Sequence, residues 1–231
     1  MIGSKFKPLE EIMESLKGHE KVAIVGCGGC AATCKTGDEG AVKWLADRVG
    51  EAGHEVTLEA IPQRTCNIKF SREALDDKQD VLKSSDAVIV MGCGGATQVV
   101  RQLTEEYGLH KEVMTALDST GHMDTVVAGE LAIEQCQECG QCVLNMTGGI
   151  CPVTKCAKGL LNGPCGGSQD GKCEVDPEKD CAWILIFRRM QALGRVDDLK
   201  NYMEPKDWSL AGKPRKVRLD KPQYPEKKDA A

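Results

Sequence analysis

Cys136, Cys139 and Cys142 bring three thiols into one short loop, the spacing with which thiolates hold an iron–sulfur cubane. They belong to a set of thirteen cysteines in 231 residues. Cys27, Cys30, Cys34, Cys66 and Cys93 form an early group. Cys136, Cys139, Cys142, Cys151, Cys156, Cys165, Cys173 and Cys181 form a late one. Disulfides are rare in a reducing compartment, so cysteines this dense and clustered point to metal binding or electron transfer. All thirteen are candidate metal ligands. The early group can fill one four-thiolate site with one cysteine to spare, and the late group suffices for two.

Other function classes are disfavoured. No basic segment followed by an apolar one stands at the start, so a cytoplasmic protein is expected. The longest apolar run, around Ala182 to Phe187, is far too short to span a bilayer. A formal net charge of −5 argues against nucleic acid as a partner, because phosphate binding needs an excess of Lys and Arg.

The elements that must position the early thiols are legible as an alternation. Leu9, Ile12, Met13 and Leu16 repeat at helical spacing, so residues 1–20 are read as an N-terminal helical segment ending near Gly18. Residues 21–130 then read as an α/β domain. Val22–Val25, Val56–Ile61 and Ala87–Met91 have the character of buried parallel strands, and Val113–Leu117 and Thr125–Ala128 are candidates for more. Asp38 can cap a helix carrying Val42, Leu45 and Val49, with Gly53 beyond its end, and Gln98–Tyr107 reads as another helix. This alternation predicts right-handed crossovers and a doubly wound parallel sheet. Cys27, Cys66 and Cys93 each follow a strand, so their loops meet at one sheet edge, where open α/β sheets bind ligands. Cys30 and Cys34 share the loop that Cys27 begins.

A rival reading shares that edge. Gly26-x-Gly28-x-x-Ala31 is a loose dinucleotide fingerprint, echoed by Gly92-x-Gly94. Cysteines occupy its variable positions, where sulfur would crowd a phosphate, and glycines equally let backbone N–H groups reach cluster sulfurs. Metal is the preferred reading.

From Glu134 to Cys181 the composition turns to Gly, Cys, Pro and Asn. Such a segment buries too little apolar surface to offset ordering entropy of roughly 1–2 kcal/mol per residue for the backbone. Metal–thiolate bonds can fold it instead. Residues 131–203 are thus expected to be a smaller Cys-rich, metal-built domain with a terminal helix. The fourth partner of Cys136, Cys139 and Cys142 could be Cys151, whose Pro152 gives the Cys-Pro that ends a ferredoxin run, or Cys156, or a later residue. The remainder could hold a second cluster or a structural zinc. Ile184, Phe187, Met190 and Leu193 make the stripe of a core helix closed by Gly194, and Val196–Met203 reads as a short helix. Residues 204–231, rich in Pro and charge, are expected to form an extended tail.

No paired carboxylates or Ser/His/Asp order stand out, and His19, His54, His110 and His122 are expected at surface positions. Organic chemistry is therefore expected elsewhere. Clusters in two modules suggest a relay of single electrons.

The stretch Leu144-Asn-x-Thr-Gly-Gly-Ile-Cys151-Pro152, then Cys156-Ala-Lys-Gly-Leu-Leu-Asn-Gly-Pro-Cys165-Gly-Gly, Cys173-Glu and Cys181-Ala-Trp, resembles the methylenetetrahydrofolate reductase C-terminal domain family. Gly26-Cys27-Gly-Gly-Cys30-Ala-Ala-x-Cys34 and Gly92-Cys93-Gly-Gly resemble its full-length members, the small metal-containing subunits of acetogen-type methylenetetrahydrofolate reductase. The resemblance implies an electron-transfer subunit with [4Fe–4S] clusters at two or three sites, or with Zn²⁺ at one late site. It implies a flavin-dependent TIM-barrel partner, whose FMN reduces methylenetetrahydrofolate in the methyl branch of acetyl-CoA synthesis. It also implies an electron donor: ferredoxin, a nicotinamide-oxidising subunit or a heterodisulfide-reductase-like assembly. Nothing in this chain resembles the barrel, so FMN and folate belong to the partner. The alternative is a structural adaptor, in which zinc or inert clusters only dock the catalytic subunit onto a donor.

Overall fold

The structure, a computed structural model, describes residues 1–123, 125–127 and 131–213. The chain divides into two compact units, Met1–Glu134 and Gln135–Ala231.

The first unit starts with strand β1 (Ile2–Phe6) and helix α1 (Leu9–Ser15), closed by Gly18 in the left-handed region. Strand β2 (Lys21–Val25), the one-turn helix α2 (Cys30–Thr33), α3 (Glu39–Glu51) and β3 (Glu55–Ala60) follow. Asp38 caps α3 by accepting from the Ala41 N–H. Next come α4 (Ile68–Leu75), α5 (Gln79–Ser84), β4 (Ala87–Val90) and α6 (Gly94–Glu106). The unit ends with β5 (Glu112–Thr115), β6 (Leu117–His122), β7 (Thr125–Val127) and β8 (Leu131–Ile133).

Four strands form a parallel sheet in the order β3-β2-β4-β5. Period-2 alternation divides its residues between two cores. Val22, Ile24 and Ile89 pack with Ile12 and Leu16 of α1 and Val42, Leu45 and Val49 of α3. Ala23, Val25, Val88 and Val90 pack with Leu75 of α4, Leu82 of α5 and Val100 and Leu103 of α6. Fully burying an aliphatic side chain contributes roughly 1.5–3 kcal/mol, and the two central strands are buried from Val22 to Val25 and from Ala87 to Val90. The unit is a mixed α/β fold held by its own apolar cores.

Two expectations shift here. The residues expected as a fourth strand, Val113–Leu117, instead turn a corner: β5 ends at Thr115 and β6 leaves the sheet to pair antiparallel with β1. Thr115 makes the corner, its hydroxyl both donating to the Leu117 carbonyl and accepting from the Leu117 N–H. The expected strand at Thr125–Ala128 is β7, paired antiparallel with β8 outside the parallel sheet; Ala128 lies outside the described residues.

The second unit has little regular structure. After the one-turn helix α7 (Pro152–Lys155), its main element is α8 (Ala182–Ala192). Its small core is Trp183, Ile186, Met190 and Met203. The Trp183 indole N–H donates to the Leu160 carbonyl at 2.9 Å, which fixes the rotation of α8. The buried face is therefore not the expected stripe. Phe187 and Leu193 are exposed, and only Met190 of that stripe is fully buried. Val196–Lys200 is a 3₁₀ turn, shorter than the helix expected there. No helix among the described residues is long and apolar enough to cross a membrane.

Candidate metal centre

Three loops at the carboxyl ends of β2, β3 and β4 bring Cys27, Cys30, Cys66 and Cys93 to the wall of one cavity of about 480 Å³. The loops are tied to one another rather than merely adjacent. Gly26 N–H donates to Ala60 and Gly28 N–H to Pro62, carrying the strand pairing past the sheet edge. Thr65, fully buried, donates its hydroxyl to the Gly26 carbonyl at 2.7 Å. Ser71 in turn donates to the Thr65 carbonyl. The residue before Cys27 and the residue before Cys66 are thus clamped together. A Cβ at Gly26 would lie 2.6 Å from the Gly37 carbonyl oxygen, so the approach of these loops requires glycine there.

Cys93 is the N-cap of α6, a helix end that favours negative charge. Helix α6 begins at Gly94, four residues before the expected start, because Gly92 lets the turn close against Ala96. Cys66 senses the whole ring. Loss of water at the cavity wall raises its pKa, and the neighbouring Cys93, Cys27 and Cys30 add to the rise. Cys34 stands apart. It does not line the cavity, and its thiol points to the Ile2 carbonyl at 3.9 Å. The fifth early cysteine is the one outside the ring, a selection made by loop geometry that spacing alone left open.

The same hydrogen bonds bear on the dinucleotide reading. The N–H groups of Gly26 and Gly28 are already donated within the chain, and a pyrophosphate needs free ones.

A second ring is formed by Cys156, Cys165, Cys173 and Cys181 around a cavity of about 20 Å³. Backbone pairing places two of its members, with Cys173 N–H on Lys179 and Cys181 N–H on Gly171. Lys158 and Glu174 line the same cavity, paired with each other, and the Cys165 thiol donates to Glu174 at 3.5 Å. Cys136, Cys139, Cys142 and Cys151 are the four late cysteines that the second ring does not include. In their loop, Glu138 N–H donates to Cys136 Sγ at 3.3 Å, and Gly167 N–H does the same for Cys165 at 3.4 Å. Backbone N–H groups aimed at sulfur suit thiolate rather than thiol, and are a means of tuning a bound cluster.

Among the described residues, no three His, Cys, Asp or Glu side chains converge tightly enough to hold a bare metal ion. A tetrahedral zinc with bonds of about 2.3 Å draws its sulfurs to within roughly 4 Å of one another. The first ring offers four thiols around a space of about 480 Å³, a donor set of the kind that holds an iron–sulfur cluster. The histidines take no part in either ring. His54 Nδ1 lies 2.7 Å from the His19 carbonyl oxygen and His19 pairs with Glu112, so both are half-buried linkers rather than surface residues.

Fold and thiols together define a cysteine-rich α/β protein, with eight of its thirteen cysteines lining two cavities. Residues 114–209 match the family model described as methylene-tetrahydrofolate reductase C terminal. The match includes the eight late cysteines and excludes the first ring. No curated protein and no solved structure matches the chain. The family name links that segment to methylenetetrahydrofolate reductase.

Proposed function

We propose that this chain is the electron-transfer subunit of a 5,10-methylenetetrahydrofolate reductase, relaying electrons through [4Fe–4S] clusters to the flavin of a TIM-barrel catalytic partner. The observation that carries the reading is the first ring, where three loops of a parallel sheet bring four thiols to the wall of one cavity. The family match adds the reductase context. Cys27, Cys30, Cys66 and Cys93 would hold one cluster. Cys156, Cys165, Cys173 and Cys181 would hold a second metal site, and Cys136, Cys139, Cys142 and Cys151 a third. Such clusters supply one-electron chemistry when bound. The chain's own residues orient the thiolates, donate N–H groups to sulfur and limit access of water. The expected setting is the methyl branch of acetyl-CoA synthesis, with ferredoxin, a nicotinamide-oxidising subunit or a heterodisulfide-reductase-like assembly as donor.

A second reading is favoured by the second ring alone. Its four thiols are the donor set that a structural zinc takes, and in that reading the chain is an adaptor that docks the catalytic subunit.

Iron, zinc and acid-labile sulfide per chain, measured on anaerobically purified protein with spectra before and after dithionite, test both. About eight or more iron and sulfide per chain, with bleaching on reduction, supports the relay. Zinc with little sulfide sinks it and leaves the adaptor.

A further inference from the structure

Lys206 lies outside every cysteine motif, in the Pro- and charge-rich stretch expected to be an extended tail. It is 7 % exposed. A lysine ammonium is almost never buried without an anion, because removing it from water costs several kcal/mol. Among the described residues no carboxylate pairs with Lys206. Its ammonium donates instead to the Gln141 carbonyl, the same oxygen that the Cys139 thiol faces at 3.7 Å.

Three further ties hold it there. Asn162 both donates to the Met203 carbonyl at 2.9 Å and accepts from the Met203 N–H at 2.7 Å. Asp207 N–H donates to the Gln141 side-chain oxygen at 3.1 Å. Gly140, in the left-handed region, packs so closely on Leu210 that a Cβ would lie 2.7 Å from its carbonyl oxygen. Residues 203–210 are thus fastened across the loop between Cys139 and Cys142, with a buried cation facing a thiol.

We propose that Lys206 is the built-in counter-cation of the metal site that includes Cys136, Cys139 and Cys142, a positioning residue that compensates thiolate charge and raises the potential of the group bound there. This rests on the metal reading above. A fixed cation beside a cluster favours its more negative, reduced form, and burial keeps solvent from screening that attraction.

The test uses the full chain, anaerobically reconstituted, as wild type, Lys206→Met, Lys206→Arg and Cys139→Ala. The last variant identifies which signal belongs to this site. Metal retained under chelator challenge and the midpoint potential from a dithionite titration followed by electron paramagnetic resonance are the readouts. With Lys206→Met, the reduced fraction at fixed poise is expected to fall about tenfold, a shift of about 59 mV to more negative potential for one electron. Lys206→Arg is expected to stay near wild type. Loss of this site's metal in Lys206→Met with retention in Lys206→Arg also supports the proposal, because charge is what the two share or lack. Full retention with an unmoved potential in Lys206→Met overturns it. So does equal metal loss in both variants, which would make the residue's shape, not its charge, the requirement. A wild-type chain that takes up neither iron nor zinc overturns the metal reading itself, and the two failures are thereby told apart.

Discussion

The two thiol rings are reached by opposite routes. The first is delivered by strands whose residues are buried in two apolar cores, so its loops are aimed by a scaffold complete without them. The second is delivered by turns, beside a core of only Trp183, Ile186, Met190 and Met203. Where the scaffold is apolar, the ring can stay wide and the cavity large. Where it is not, the thiols line a cavity of about 20 Å³ and the chain around them leans on hydrogen bonds such as Trp183 to Leu160 and Asn162 to Met203. A ligand in the first ring is held by the fold. A ligand in the second would help make the fold.

Metal removal separates the two most sharply. Stripping metal with a chelator and reductant should leave Met1–Glu134 resistant to limited proteolysis while the segment from Gln135 to Lys213 becomes fully cleavable. A late segment that stays resistant when stripped would show that its small core suffices, and the contrast would collapse.

Within the first ring, Cys66→Ala should remove one cluster's worth of iron, whereas Cys34→Ala should remove none. Equal losses on iron analysis would put Cys34 back among the ligands.

The clamp between the loops is a smaller effect. Thr65→Val leaves the buried Gly26 carbonyl without its partner, at a cost of about 1–3 kcal/mol. Urea unfolding of the first unit should show that loss, and an unchanged midpoint would mean the clamp is ornamental.

Smallest is the pH dependence at the start of β2. The backbone N–H groups of Lys21 and Glu20 both donate to Asp86, and these hydrogen bonds hold its carboxyl below the usual range. A depressed folded pKa gives stability that is present above the unfolded value of about 3.9 and lost as pH falls through the folded one. Asp86→Asn should flatten that acid limb for the first unit. An identical limb in the variant would assign the acid loss to other carboxylates.

The strands and the main helices of the first unit were legible because burial on both faces leaves near-continuous apolar runs, as in Val22–Val25 and Ala87–Val90. Helix α4 was not read, because its buried positions include Ser71, whose polar side chain is satisfied by the Thr65 carbonyl. Strand β1 was not read because its partner lies at the far end of the unit and its own sequence, Ile-Gly-Ser-Lys-Phe, lacks alternation. The stripe expected on α8 was the wrong face, since a single indole hydrogen bond sets the helix rotation. Cysteine positions announced the chemistry, but which four form a ring depends on how loops cross. Lys206 was invisible for the same reason, its partners being set by a backbone that folds back on itself.

The pairing of β1 with β6 also bears on how the first ring is made. Met1, Ile2 and Ser4 help wall the cavity, and β1 is held by register contacts from Ile2–His122 to Phe6–Leu117. A chain growing from the ribosome therefore completes its fourth ring thiol at Cys93 well before it makes the strand that anchors this wall. Non-local pairings of this kind also form late in folding. Biosynthesis thus leaves an interval in which all four ring cysteines have been made and β1 still lacks the strand it pairs with.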